Sequence, residues 1–143
     1  MNKSNMLKKE ETEHDWFMVD ASDRILGRMA TQVATYLMGK NRPDFTPHVD
    51  NGAGVIILNC AKVRVTGKKS TQKVYKRFSG YPGGLKETVY EKMMEKDPKY
   101  IVRHAVKGML PKNKLGARML KRLKLYVGTE HPHEAQQPKE MKI

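Results

Sequence analysis

Residues 55–59 read Val-Ile-Ile-Leu-Asn, an apolar run with no polar interruption before its last position. The run is too short to close a stable helix. Consecutive side chains of a strand point to opposite faces of a sheet, so apolar residues in succession predict a strand dry on both sides. That is the environment of a parallel sheet in an α/β protein. Upstream, WFMVD (16–20) reads as a second short strand. Between them Leu26, Met29, Ala30, Val33 and Leu37 fall at helical spacing, and Gly39 suits the stop. Asp20, Ser22 and Asp23 offer caps for that helix. Strand, helix, strand makes a βαβ unit, which is nearly always right-handed and parallel.

The rest of the chain is less regular. A loop rich in Pro, Asp and Gly covers 41–54. KVRVTG (62–67) alternates as a half-exposed strand would, and KVYKRF (73–78) is a weaker strand candidate before the turn-prone SGYPGG. ETVYEKMMEK (87–96) predicts a helix with Val89, Tyr90, Met93 and Met94 inward. Asp97-Pro98 is a break and a restart, cap then first-turn proline. The restarted helix runs to Gly108, Pro111 bends the chain, and a further helix near Lys112–Arg122 leads into a strand, LKLYV (123–127). No repeat or low-complexity tract interrupts this. A chain of 143 residues suits one domain: a loose, polar segment over 1–13, then a single unit over 14–143.

Charge divides the chain differently. The formal net charge is +13, from 28 Lys and Arg against 15 Asp and Glu. Residues 1–20 are net −2 and 21–60 net +1, whereas 61–90 carry eight cations and one acid, and 91–128 carry eleven and three. The tail from 129 is net −1. Within 107–126 seven cations stand with no acid. On a helical wheel Lys114, Arg118, Lys121 and Arg122 share one arc, and Leu115, Met119, Leu120 and Leu123 the opposite one. No acid three or four residues away neutralises the basic arc. Like charges crowded on one half of a small domain are the footprint of a polyanion partner. Lys68, Lys69, Lys73, Lys76 and Arg77 extend the basic region to GYPGGLK (80–86). There Tyr81 can stack on a base and Lys86 can meet a phosphate. Lys107 and Lys112 complete the candidates.

Other chemistries find less support. GKKST (67–71) lacks the glycine that a phosphate-cradling loop places five residues earlier, since position 62 is Lys, and it reads as a basic turn. Gly52-Ala53-Gly54 precedes a strand and is a turn rather than a dinucleotide fingerprint. His131 and His133 lie two apart but lack the further ligands a metal needs, and fit a structural or phosphate-contacting pair. Cys60 stands alone, which leaves no disulfide framework and suits a reducing compartment. It reads as a small core residue. Acids are too scattered to pair as catalysts. No apolar run is long enough to span a bilayer, and the N-terminus lacks the core of a secretory signal. The expectation is a cytoplasmic protein that binds nucleic acid, with no membrane, cofactor or small-molecule substrate. The rivals are a free nucleic-acid-binding module and a nucleic-acid-modifying enzyme, which turnover with divalent metal would reveal.

Seven segments carry a resemblance: DASDRILGRMA (20–30), TPHVDNG (46–52), VTGKK (65–69), GYPGGLK (80–86), VKGMLPKNKLG (106–116), KLYVG (124–128) and HPHEAQQP (131–138). In this order and spacing the chain closely resembles the bacterial large-subunit ribosomal protein family L13, over roughly residues 14 to 143. The resemblance implies a three-layer α/β/α fold around a mostly parallel sheet of about four strands. It implies no enzymatic activity, a structural place in the large subunit, binding to large-subunit rRNA beside neighbouring ribosomal proteins, early entry into assembly, and in some members repression of their own message. Lys68, Lys69, Tyr81, Lys86, Lys112, Lys114 and Arg118 match its prominent motifs, with His131 and His133 behind them. The chain departs where many members have Gly (Asp23), an acid (Ala53), His (Phe78) and Pro (Lys114).

Overall fold

The computed structural model describes residues 6–141. Four strands form a parallel sheet: β1 (Trp16–Asp20), β2 (Gly54–Leu58), β5 (Leu123–Leu125) and β6 (Lys139–Glu140), in the order β5-β2-β1-β6. Strand β2 is buried at every position, as its apolar run requires. It pairs with β1 from Trp16 opposite Gly54 to Asp20 opposite Leu58, and with β5 from Val55 opposite Leu123. The α/β class and the parallel four-stranded sheet are those the resemblance implies.

Alternation along β2 sends Val55 and Ile57 to one face and Ile56 to the other. Val55, Ile57, Val19, Leu123 and Leu125 join a single core with helix α1 (Leu26–Met38), helix α4 (Pro98–Met109) and helix α5 (Lys114–Lys121). Each fully buried aliphatic there stabilises the fold by roughly 1.5–3 kcal/mol. On the opposite face the Trp16 ring covers Gly54 so closely that a Cβ there would clash with it. Trp16 then stacks on His133, in the segment between β5 and β6.

Helix α1 starts differently from the expectation. None of Asp20, Ser22 and Asp23 caps it; Ile25 holds the cap position and makes no side-chain bond. The carbonyl of Arg64 instead accepts from Leu26 N–H at 2.8 Å. Asp20 accepts from Ser22 N–H and from Asn59 Nδ2, both at 2.9 Å. Those bonds, Asn59 first, hold its carboxyl below the usual range. Asp23 has φ 57°, a left-handed conformation that glycine adopts without strain. Gly39 (φ 81°) ends the helix as expected, with its N–H and that of Lys40 returning to Tyr36 and Thr35 carbonyls.

Several boundaries move. KVRVTG is not a strand. Asn59 turns left-handed after β2, Cys60–Lys62 form a 3-10 turn, and within 62–67 an isolated bridge joins Arg64 to Ile25 while Val63 packs into the core. The basic turn near GKKST closes as one helical turn, α2 (Lys69–Gln72). KVYKRF is a strand, β3 (Val74–Phe78). Its antiparallel partner β4 (Leu85–Val89) takes residues 87–89 from the expected helix, so α3 spans only Tyr90–Lys96. Residues 85–89 pair in register with β3 across the ribbon, which local periodicity does not register. Asp97 caps α4, accepting from Tyr100 N–H at 3.2 Å, and α4 passes through Gly108 to Met109. Asn113 caps α5, accepting from Gly116 N–H at 2.8 Å, so α5 is shorter than Lys112–Arg122. Strand β5 stops at Leu125 rather than Val127. Residues 1–5 of the expected loose segment, and 142–143 of the expected domain, lie outside the described residues. Lys9–Glu11 form a 3-10 turn, and Leu7 N–H donates to Thr46 Oγ1 at 3.4 Å.

Candidate nucleic-acid interface

From Pro98 to Thr129 the chain has nine cations and no acid. Folding gathers six of them. Helix α4 buries Ile101, Val102 and Val106 and turns Lys99, Arg103 and Lys107 outward, four residues apart along one stripe. Helix α5 buries Gly116 and Met119 and presents Lys121. Between the two helices and β5 lies an open groove of about 1180 Å³, lined by Lys99, Arg103, Lys107, Lys112, Lys121 and Lys124 over Leu110, Leu120, Leu123 and Leu125. No acid lines it. None of the six cations has an ion pair among the described residues. Lys114 and Arg118 are exposed on α5 outside the groove lining.

The geometry that forms the groove begins with the turn before α5. A Cβ at Gly116 would collide with the Pro111 carbonyl, so only glycine lets the helix start this close to the bend. Asn113 and Gly116 together fix where α5 starts beside that bend. The Lys99 ammonium lies 5.9 Å from the centre of the Tyr126 ring, a cation–π contact on the groove wall.

The second basic element is the β3–β4 hairpin. Tyr75 is buried at its base, where its ring meets Tyr100 and His104 of α4 edge-on at 5.8 and 5.4 Å. Burial pushes the Tyr75 phenol up to about 12, so it stays neutral. Lys73 reaches over the Tyr75 ring at 5.6 Å. Lys76 pairs with Glu87 across the strands at 3.0 Å, and is the one hairpin cation with an ion pair among the described residues. Lys68, Lys69, Arg77 and Lys86 are exposed, and Tyr81 at the tip is 75 % exposed.

Arg122 does not join the basic face. The helix ends at Lys121, and the turn into β5 carries Arg122 inward, leaving its side chain 13 % exposed. Its guanidinium forks onto Asp50 at 2.5 and 2.6 Å and donates to the Leu37 and Ala53 carbonyls at 3.3 and 3.4 Å. It pins α1, the loop before β2 and β5 together.

His133 is likewise engaged within the protein. Its Nε2 is 2.7 Å from Tyr126 Oη, its N–H donates to His131 Nδ1 at 3.2 Å, and its ring stacks on Trp16. No group of three or more metal-ligating side chains comes together among the described residues. Cys60 is buried and its thiol is pushed up to about 11 by that burial, which keeps it protonated and unreactive near neutrality.

A model of the ribosomal protein L13 family matches residues 14–132. The chain belongs to that family. It is 55 % identical over 141 residues to the large ribosomal subunit protein uL13 of Thermoanaerobacter sp. (strain X514), covering 99 % of each chain. It is 57 % identical over 136 residues to the protein of that name from Psychrobacter cryohalolentis, covering 95 % of this chain and 96 % of the relative. Against the Geobacter sulfurreducens protein of that name it is 52 % identical over 143 residues, the whole of both chains. The L13 family is structural and non-enzymatic.

Three groove cations, Lys99, Arg103 and Lys124, are not among the expected contact residues: Lys99 and Arg103 lie outside all seven segments, and Lys124 opens KLYVG rather than lying in KGMLPKNKLG. The four-residue spacing of Lys99, Arg103 and Lys107 in an acid-free stretch is the signal that finds the first two, whereas Lys124 joins them only through the packing of β5 beside the helices. Among the departures, Lys114 adds an exposed cation to α5, and Phe78 puts an exposed ring on the hairpin.

Proposed function

We propose that this L13 protein is a structural constituent of the large ribosomal subunit, located with it in the cytoplasm. It binds large-subunit rRNA through the α4–α5 groove and the hairpin beside it, and it enters assembly early. The observation that carries this is the groove: six cations around one open cleft, with no acid among them. Left in water, these charges repel one another. Against folded RNA they replace condensed counterions, and the released ions drive association. Paired RNA hides its major groove, so shape and backbone position supply most of the specificity. The buried sheet and α1 keep the cations in fixed relative positions, which reduces the ordering cost on binding. A message segment folded like the rRNA target would compete for the same face. Neighbouring subunit proteins meet the remaining surface.

For six phosphate contacts the log–log salt dependence of binding has a slope of roughly −4 to −5. Replacing Lys107, Lys112 and Lys121 by Ala flattens that slope on an rRNA fragment. A variant that keeps both affinity and slope would overturn the assignment of this face. Co-sedimentation separates a subunit component from a free nucleic-acid-binding module. The former stays with large subunits at high salt, and the latter leaves them.

A further inference from the structure

The end of the hairpin has two faces of different chemistry. Its register sets Phe78 opposite Leu85 on one face and Arg77 opposite Lys86 on the other. Phe78 is 66 % exposed and Leu85 52 % exposed, and Tyr81 caps the turn between them. Both features are costly in the free protein. Like charges directly opposed across two strands repel, and neither Arg77 nor Lys86 has an ion pair among the described residues. Large apolar side chains at the end of a two-stranded ribbon stay in water unless something covers them.

One kind of partner relieves both costs. A phosphate held between Arg77 and Lys86 removes the repulsion, and base planes laid on Phe78 and Tyr81 cover the rings. Fully paired RNA offers the phosphate but keeps its base faces inside the stack. An apolar protein surface covers Phe78 and Leu85 but leaves the cations unanswered, and the cores of protein interfaces are depleted in Lys. We infer that the hairpin end binds unpaired nucleotides, gripping the backbone on its Arg77–Lys86 face and stacking bases on its Phe78–Tyr81 end. This deepens the rRNA-binding reading above and rests on it. The groove takes charge from any folded RNA, and the hairpin selects places where bases are free.

The test uses the full chain and two RNA probes: a plain duplex, and the same duplex interrupted by an unpaired loop carrying a fluorescent adenine analogue. The expected result is tighter binding of the looped probe, with quenching of the analogue. Phe78→Ala with Tyr81→Ala lowers the looped-over-plain preference about tenfold or more and abolishes quenching, leaving the salt slope in place. Tyr81→Phe keeps the quenching. Arg77→Ala with Lys86→Ala reduces the slope by about 0.7 to 0.9 if the pair shares one phosphate. All four side chains are exposed, and circular dichroism confirms that the variants fold. An aromatic double variant that retains preference and quenching overturns the inference while leaving rRNA binding intact. So does one that binds both probes as the parent does yet fails to enter large subunits, which assigns the apolar pair to a neighbouring protein. A parent protein that binds neither probe at low salt sinks the rRNA-binding reading itself.

Discussion

Lys121 and Arg122 are neighbours in the chain and carry the same charge, yet they belong to two regions that treat charge in opposite ways. Arg122 serves the platform of β1, α1, β2 and the loop between them. There charge is answered locally, by Asp50 for Arg122 and by Asp44 for Arg42 at 3.0 Å. Lys121 serves the groove, where no acid answers any cation. In the platform a charge holds segments together, and its partner is in the same molecule. In the groove a charge of the same sign has no carboxylate within reach among the described residues. Net charge alone does not distinguish the two. What separates them is whether a carboxylate lies within reach.

The largest expected effect falls on the platform. Arg122→Ala leaves Asp50 half-buried and unpaired and frees two carbonyls, which costs about 3 kcal/mol. Urea unfolding measures this; a loss below about 0.5 kcal/mol would place Arg122 with ordinary surface residues. The salt slope of RNA binding stays as it was, because Arg122 faces no phosphate.

Next comes the groove itself. Replacing Lys99, Arg103 and Lys121 by Ala is expected to shrink the salt slope by about 2 to 3, with stability changed by no more than about 0.5 kcal/mol per site. Filter binding over a salt series reads the first and urea unfolding the second. If stability falls instead, the contrast between groove and platform breaks.

A smaller effect belongs to the cap that starts α5. Asn113→Ala removes the bond to Gly116 N–H and costs about 1 kcal/mol, whereas Asn113→Gly costs only a few tenths. Equal losses for the two, measured by thermal unfolding, would show that the side-chain bond is not what matters.

The smallest effect tests the hairpin's one neutralised cation. Glu87→Gln releases Lys76, and because both side chains are at least half exposed the stability change stays within about 1 kcal/mol. RNA binding tightens slightly. A weakened affinity would mean that the Lys76–Glu87 pair holds the hairpin in its binding shape.

The elements legible in the sequence are those whose cause is local. The apolar run at Val55–Leu58 can only be a buried strand. The spacing of Leu26, Met29, Val33 and Leu37 can only be one face of a helix. Asp97-Pro98 marks a helix start through capping and a fixed φ. The basic character of the second half is a matter of counting. Strand β4 was not legible, because Leu85–Val89 becomes a strand only by pairing with β3, and the Glu and Met residues beyond it suggest a helix running through. The two-residue β6 was hidden for the same reason, since it exists only beside β1. KVRVTG alternates like a strand but finds one bridge partner, because the left-handed turn at Asn59 has already led the chain away from the sheet.

By itself, then, the sequence determined the class of fold, the βαβ start and the excess of positive charge in the second half, since burial period and charge count are properties of residues in order. Only the tertiary structure decided which cations face outward together, because that depends on where helices end and what they meet. A single residue past the end of α5 sends Arg122 to Asp50. The packing of α4 against α5 turns Lys99, Arg103 and Lys124, scattered along the chain, into one wall with Lys107, Lys112 and Lys121.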